Sequence, residues 1–130
     1  MINSRSLDDL TPEAHMYAMR FLHACTLKGI NILITCTYRD NEYQDYLYAQ
    51  GRTRPGKIVT NAKGGESAHN YKVAFDFCPL VGGKPDWNDT KLWKEIGAIG
   101  QSVGLDWGGS WKSFPDMPHM QVPGFKIPRK

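Results

Sequence analysis

The sequence predicts a single α+β domain, and three observations carry that prediction. Its 130 residues suffice for one core and leave no room for a second catalytic unit. Stretches of helical and of strand periodicity are mixed without the regular βαβ alternation of a parallel sheet. Gly/Pro-rich segments fall between these stretches, with no internal repeat, low-complexity tract or linker.

Taken in order, residues 11–28 read as a helix. Thr11 is placed to N-cap it, Pro12 suits its first position, and Gly29 is a C-terminal stop. Ala14, Ala18, Phe21, Leu22 and Cys25 share one face of it. Residues 30–38 (INILITCTY) are rich in β-branched side chains and predict a buried strand. Asp40 can cap a second helix over 41–50, which leaves Arg39 at a strand-to-helix junction.

Residues 52–68 (RTRPGKIVTNAKGGESA) read as a long polar loop, of the length that in compact domains is often functional. Residues 71–78 (YKVAFDFC) alternate with period two and predict a strand, with Asp76 on the face of Lys72, Ala74 and Cys78. Asp89 can cap a third helix over 90–103, whose apolar stripe is Leu92, Trp93, Ile96, Ile99 and Val103, ended by Gly104. Residues 105–118 are irregular, and a last short strand begins at His119.

Composition narrows the function classes. Hydrophobic residues are 41% and charged residues 22%, as in ordinary globular proteins. A net charge of +3 permits an anionic partner but identifies none, and no dense Lys/Arg run supports nucleic-acid binding. The three cysteines Cys25, Cys36 and Cys78 have neither an even count nor C-x-x-C spacing, so free thiols are expected. The amino-terminal MINSRSLDDL has no apolar signal region, and no segment approaches the roughly 20 apolar residues that cross a bilayer. A soluble product of the cytoplasm follows as the expectation, with no stable membrane association.

Three residues invite metal chemistry. Catalytic zinc takes about three ligands from His and Asp/Glu and leaves a position for water. Asp76 is a carboxylate in an apolar strand, where a metal or an ion pair would account for its charge. His69 lies an odd number of residues before Asp76, so it must belong to the loop or to a bend near Asn70 to share a pocket with it. Asp116 and His119 flank Pro118, and a turn there can present both to one site. Each residue alone is also compatible with an ordinary surface or ion-pair role. Trp107 and Trp111 suit either a groove wall or packing, and Arg52, Arg54, Lys57 and Lys63 can attract an anionic wall. Cys78, on the face of Asp76, is expected to be a packed thiol, and His15 and His23 to be surface or half-buried.

At this point the residues reach a resemblance. Ser67 to Asp76 (SAHNYKVAFD) closely resembles the S-x-H-x-x-G-x-A-x-D signature of D-alanyl-D-alanine and L-alanyl-D-glutamate metallopeptidases. Trp107 to Gln121 (WGGSWKSFPDMPHMQ) resembles the second signature of the phage endolysins in that group, and Thr37 to Arg39 followed by Tyr48 to Arg52 (YAQGR) also looks like that subfamily. The resemblance implies a small antiparallel sheet flanked by helices, shared with lysostaphin-type peptidases and the Hedgehog signalling domain. It implies one catalytic Zn2+ held by His69, Asp76 and His119, with Asp116 as base, Arg39 on substrate or oxyanion, and Ser67 as a supporting hydrogen-bond donor. Lys72 departs from the pattern, since it stands where the signature has glycine.

The expectation is therefore a zinc endopeptidase of the peptidoglycan stem peptide, cutting the L-alanyl-D-glutamate bond and causing lysis. One monomeric catalytic domain over 1–130 is expected, without a separate wall-binding domain and released from the host cytoplasm by a holin-like membrane protein. The rivals are a D-alanyl-D-alanine carboxypeptidase or dipeptidase and a non-catalytic zinc-stabilised binding module.

Overall fold

A computed structural model describes residues 1–128. Helix α1 spans Pro12–Leu27, and the Thr11 side chain accepts from the Ala14 N–H at its start. Strand β1 follows at Asn31–Cys36, then helix α2 at Asn41–Ala49, capped by Asp40 through the Tyr43 N–H. After the long loop, a 3-10 turn covers Ala68–Tyr71 and leads into β2 at Ala74–Val81. Strand β3 is Lys84–Pro85, helix α3 is Thr90–Ser102 with Asp89 accepting from the Leu92 N–H, β4 is Asp106–Trp107 and β5 is His119–Gln121.

The strands form one antiparallel sheet in the order β1-β2-β5-β4, with β3 paired to the end of β2. Helices α1 and α3 cover one face. Phe21 of α1 lies 5.7 Å from Phe75 and 5.3 Å from Phe77, and Trp93 of α3 lies 5.4 Å from Phe77, by ring centroids. Ala14, Ala18, Cys25, Ile96 and Met120 complete this core, each essentially without solvent contact. The apolar stripes read from the sequence are those that pack here.

Two strand expectations are corrected. β1 is only half buried, because it is an edge strand with one neighbour. β2 begins at Ala74 rather than residue 71 and runs on to Val81. Its start is delayed because Lys72 takes the left-handed conformation at φ 63° and closes the 3-10 turn. Its end is set by Gly82 and Gly83, at φ 60° and 79°, between the paired residues Val81 and Lys84. Positive φ at both central residues is what a two-residue hairpin needs to match strand twist. Lys72 thus does not share a strand face with Asp76; its ammonium lies over the Tyr38 ring, 4.7 Å from the centroid.

Candidate metal centre

Sheet register builds most of the site. Asp76 alternates with Phe75 and Phe77 and so turns away from the helices. Its partner across β5 is His119, and directly opposed residues of antiparallel strands project to the same side. On β1 a bulge between Ile34 and Cys36 inserts one residue, so Cys36 opposes Asp76. His69 arrives from the 3-10 turn before β2, placed in the loop as its odd spacing requires. Its Nε2 lies 3.1 Å from Asp76 Oδ1, and His119 Nδ1 lies 3.2 Å from the same oxygen. The two imidazoles meet edge to face at 5.2 Å. Both are buried, at 3% and 5% exposure, while the Asp76 side chain is 22% exposed at the floor of the groove.

The hydrogen bonds fix what these atoms offer. His69 Nδ1 is 2.8 Å from the Thr37 carbonyl, which can only accept, so Nδ1 carries a proton. His119 Nε2 is 2.7 Å from Gln121 Oε1, and with the amide in this orientation it donates to that oxygen. The inner nitrogens are then lone pairs directed at a carboxylate oxygen, an arrangement that only a cation or an extra proton reconciles. Outer N–H groups held on carbonyl oxygens are the usual support of metal-bound histidines. Two imidazoles and one carboxylate are a donor set that fits zinc.

The same geometry shifts the protonation of these groups. Burial works against charge on His69, but the Asp76 charge and hydrogen bond outweigh it, and the imidazole is pushed up to about 10. Burial likewise opposes ionisation of Asp76, yet His69 and His119 hold its carboxyl well below the usual carboxylate range. Asp116 goes the other way. Burial first, and then the Asp76 charge, raise its pKa against the opposing pull of His119, His69 and Arg39.

Asp116 is brought to the site by its turn. Its Oδ2 is 4.0 Å from His119 Nδ1, and its side chain is half exposed. The Asp116 N–H donates to the Gly108 carbonyl at 2.9 Å, and the His119 N–H donates to the Asp116 carbonyl at 3.2 Å. The Trp107 indole N–H holds the Met117 carbonyl at 2.8 Å. Trp107 is 9% exposed and belongs to the core, so it supports this turn from behind; the groove wall is Trp111, whose ring lies 5.2 Å from that of His119.

Arg39 also reaches the centre, with Nη2 3.8 Å from Asp76 Oδ2 and 3.4 Å from Cys36 Sγ. Ser67 supports His69 as an acceptor, its Oγ taking the His69 N–H at 3.3 Å, where a donor was expected. A groove of about 840 Å³ runs over these residues between Thr60–Ala62 on one side and Trp111–Asp116 on the other. Cys78 is packed in the core, and burial raises its pKa. His15 is half-buried and His23 exposed on α1, both away from the groove.

Sequence reasoning missed Cys36, Gln44 and Gln121. Gln121 was accessible, because it stands two residues after His119 on a strand and so shares its face. Cys36 was not, since only the bulge turns it towards Asp76.

Comparison with known proteins agrees with this geometry. A family model described as D-alanyl-D-alanine carboxypeptidase matches residues 60–122, the segment that holds His69, Asp76, His119 and Asp116. Over 123 residues the chain is 41% identical to the peptidoglycan L-alanyl-D-glutamate endopeptidase CwlK of Bacillus subtilis (strain 168), covering 88% of this chain and 74% of that one. The chain belongs to this metallopeptidase family. A second member, the L-alanyl-D-glutamate peptidase of Listeria phage A118, is 30% identical over 93% of this chain and 40% of its own length.

Solved structures agree on the family fold. The L-Ala D-Glu endopeptidase ChiX of Serratia marcescens superposes with a TM-score of 0.66 at 19% identity, over 93% of this chain and 88% of its own. A D,D-pentapeptidase, VanY, in complex with Zn(II) gives 0.65 at 15% identity, over 88% and 73%. The antiparallel sheet flanked by helices expected from the motifs is the fold of this family.

Proposed function

We propose that this chain is a zinc-dependent endopeptidase that cleaves the L-alanyl-D-glutamate bond of the peptidoglycan stem peptide, and that it serves as an endolysin. The observation that carries the reading is the convergence of His69, Asp76 and His119 beside a carboxyl group that is not one of the three. Zinc, when bound, supplies Lewis acidity towards a scissile carbonyl and makes water nucleophilic near neutral pH.

The chain's own residues supply the rest. Asp116 stands at the rim of the centre with its pKa raised, closer to working pH than a free carboxylate. It accepts the proton of the attacking water and returns it to the leaving amine. Arg39, facing the groove, steadies the charge that develops on the carbonyl oxygen. Ser67 holds the turn that carries His69. The choice of bond is supported by the names of the two relatives, both L-alanyl-D-glutamate peptidases. The endolysin setting is supported by the phage relative, and no described helix is long and apolar enough to cross a membrane. In that setting the enzyme acts as a monomer on the wall after a holin-like protein opens the membrane.

Mass spectrometry of digested muropeptides tests the bond. A new amino-terminal D-glutamate is expected; free D-alanine instead would make the chain the carboxypeptidase that its family model is described as. The roles are tested by Asp116→Ala, which should keep its zinc and lose at least about 100-fold in wall cleavage. Full activity in that variant would remove Asp116 from the mechanism.

A further inference from the structure

Gln44 is a fully buried polar side chain, at 0% exposure, on the face of α2 turned towards the site. A buried primary amide must find partners for both its oxygen and its nitrogen. Its Oε1 accepts from Arg39 Nη1 at 3.0 Å. Its Nε2 donates to the Ala62 carbonyl at 2.9 Å and faces Thr60 Oγ1 at 3.4 Å. Gln44 itself does not line the groove, whereas Arg39, Thr60 and Ala62 do.

The orientation of this amide is dictated by the loop. The Ala62 carbonyl has no hydrogen to give, so the NH2 end must face it and the oxygen must face Arg39. The loop is fixed by other bonds, to α2 and to the turn that follows it. Arg52 donates to the Thr60 carbonyl at 3.1 Å and to Asn61 Oδ1 at 3.2 Å, and the Gly64 N–H donates to Asp45 Oδ1 at 2.7 Å. Arg39 has less elsewhere: its Nε is buried without a partner, and Nη2 has only a thiol at 3.4 Å and the Asp76 carboxylate at 3.8 Å. The pull of Asp76 alone would draw the guanidinium into a two-pronged carboxylate pair. The bond to Gln44 holds it short of that pair.

We infer that Gln44 is a positioning residue for Arg39, with the groove-wall loop setting the amide and the amide setting the guanidinium. The inference rests on the role proposed for Arg39 above. It extends that role to a residue that touches no substrate and ties the order of residues 60–62 to the placement of the catalytic cation.

A double-mutant cycle on the zinc-loaded full chain tests it, with release of peptides from purified peptidoglycan as the assay. Gln44→Met should lower kcat/KM by at least about tenfold when Arg39 is present and by less than about twofold in Arg39→Ala, since contacting residues couple and independent ones add. Equal penalties in the two backgrounds would overturn the inference. Should Gln44→Met not fold, Gln44→Asn withdraws the oxygen while keeping an amide, and the same cycle is read with it. Should Arg39→Ala be too slow to assay, the Arg39 side-chain N–H signals in nuclear magnetic resonance are the second readout. They should be sharp and dispersed in the wild type and averaged in the Gln44 variant; signals that do not change refute the assignment. A wild-type chain that opens no peptidoglycan would count against the proposed function, whereas an active wild type with uncoupled penalties counts against Gln44 alone.

Discussion

Where Asp116 sits is decided by Gly108. A Cβ on that residue would fall 2.3 Å from the Asp116 carbonyl oxygen and 3.1 Å from His119 Cβ. The first is backbone and the second is the side-chain carbon bonded directly to it, so neither can yield without moving the 116–119 turn. Gly108→Ala should therefore displace the proposed base and one proposed ligand together. Its stability loss should be that of ordinary overpacking, about 1–3 kcal/mol, while wall cleavage falls at least about tenfold. Denaturant unfolding and a turnover assay on the same preparation measure both; full turnover would mean the turn tolerates the shift. Lys72 makes the opposite case. It adopts φ 63° where the family signature has glycine, and its ammonium lies over Tyr38 rather than in the groove. Left-handed backbone is unfavourable for any side chain with a Cβ, by about 1–2 kcal/mol, and glycine's greater unfolded-state freedom returns part of that. Lys72→Gly should raise stability by up to about 1 kcal/mol and leave cleavage unchanged. A loss of activity would place the lysine in substrate binding.

At the level of elements, the helices were legible because their signals are local. Thr11, Asp40 and Asp89 each sit where a cap is needed and each accepts the expected N–H. Thr11→Ala should thus cost about 1 kcal/mol by chemical denaturation, the ordinary worth of such a cap. A negligible change would show that the Thr11 N–H bond to the Lys72 carbonyl, at 2.9 Å, fixes this end without the hydroxyl. Strands were read less well, since pairing is settled far away in sequence. The period-two pattern found β2 but set its ends wrongly, because a left-handed lysine and a two-glycine hairpin decide them. His69 was correctly placed off the strand, as its odd spacing from Asp76 demanded. Trp107 could not be separated from Trp111 by composition. Only the packing of α3 and β4 shows the first buried and the second at the groove. Gln44 was invisible as a functional residue, because nothing local indicates that a glutamine on a helix faces an arginine and a distant loop.

For the molecule as a whole, the metal centre and the fold are one thermodynamic system. Asp76 lies on the central strand, His119 on its neighbour and His69 on the turn that leads in, so what binds these atoms is linked to folding. In chelated protein, His69 keeps its proton in the folded state up to about 10, against an ordinary value of 6.5. A folded pKa above the unfolded one stabilises fully below about 6.5, and that contribution is lost as pH rises through about 10. Asp76, held low, acts in the other sense. Its contribution is present above its ordinary 3.8 and is lost as pH falls below that value. From these two groups alone, the chelated protein should be most stable between about pH 4 and 6.5. With His69 a ligand as proposed, zinc would take the Nε2 lone pair that the proton otherwise holds, so its binding would release a proton and strengthen as pH rises. The melting temperatures of zinc-loaded and chelated protein should therefore diverge steadily from pH 6 to 9, with the chelated protein falling. A gap independent of pH would mean that His69 is not a ligand, and the set would have to be sought around Asp76, Asp116 and His119 instead.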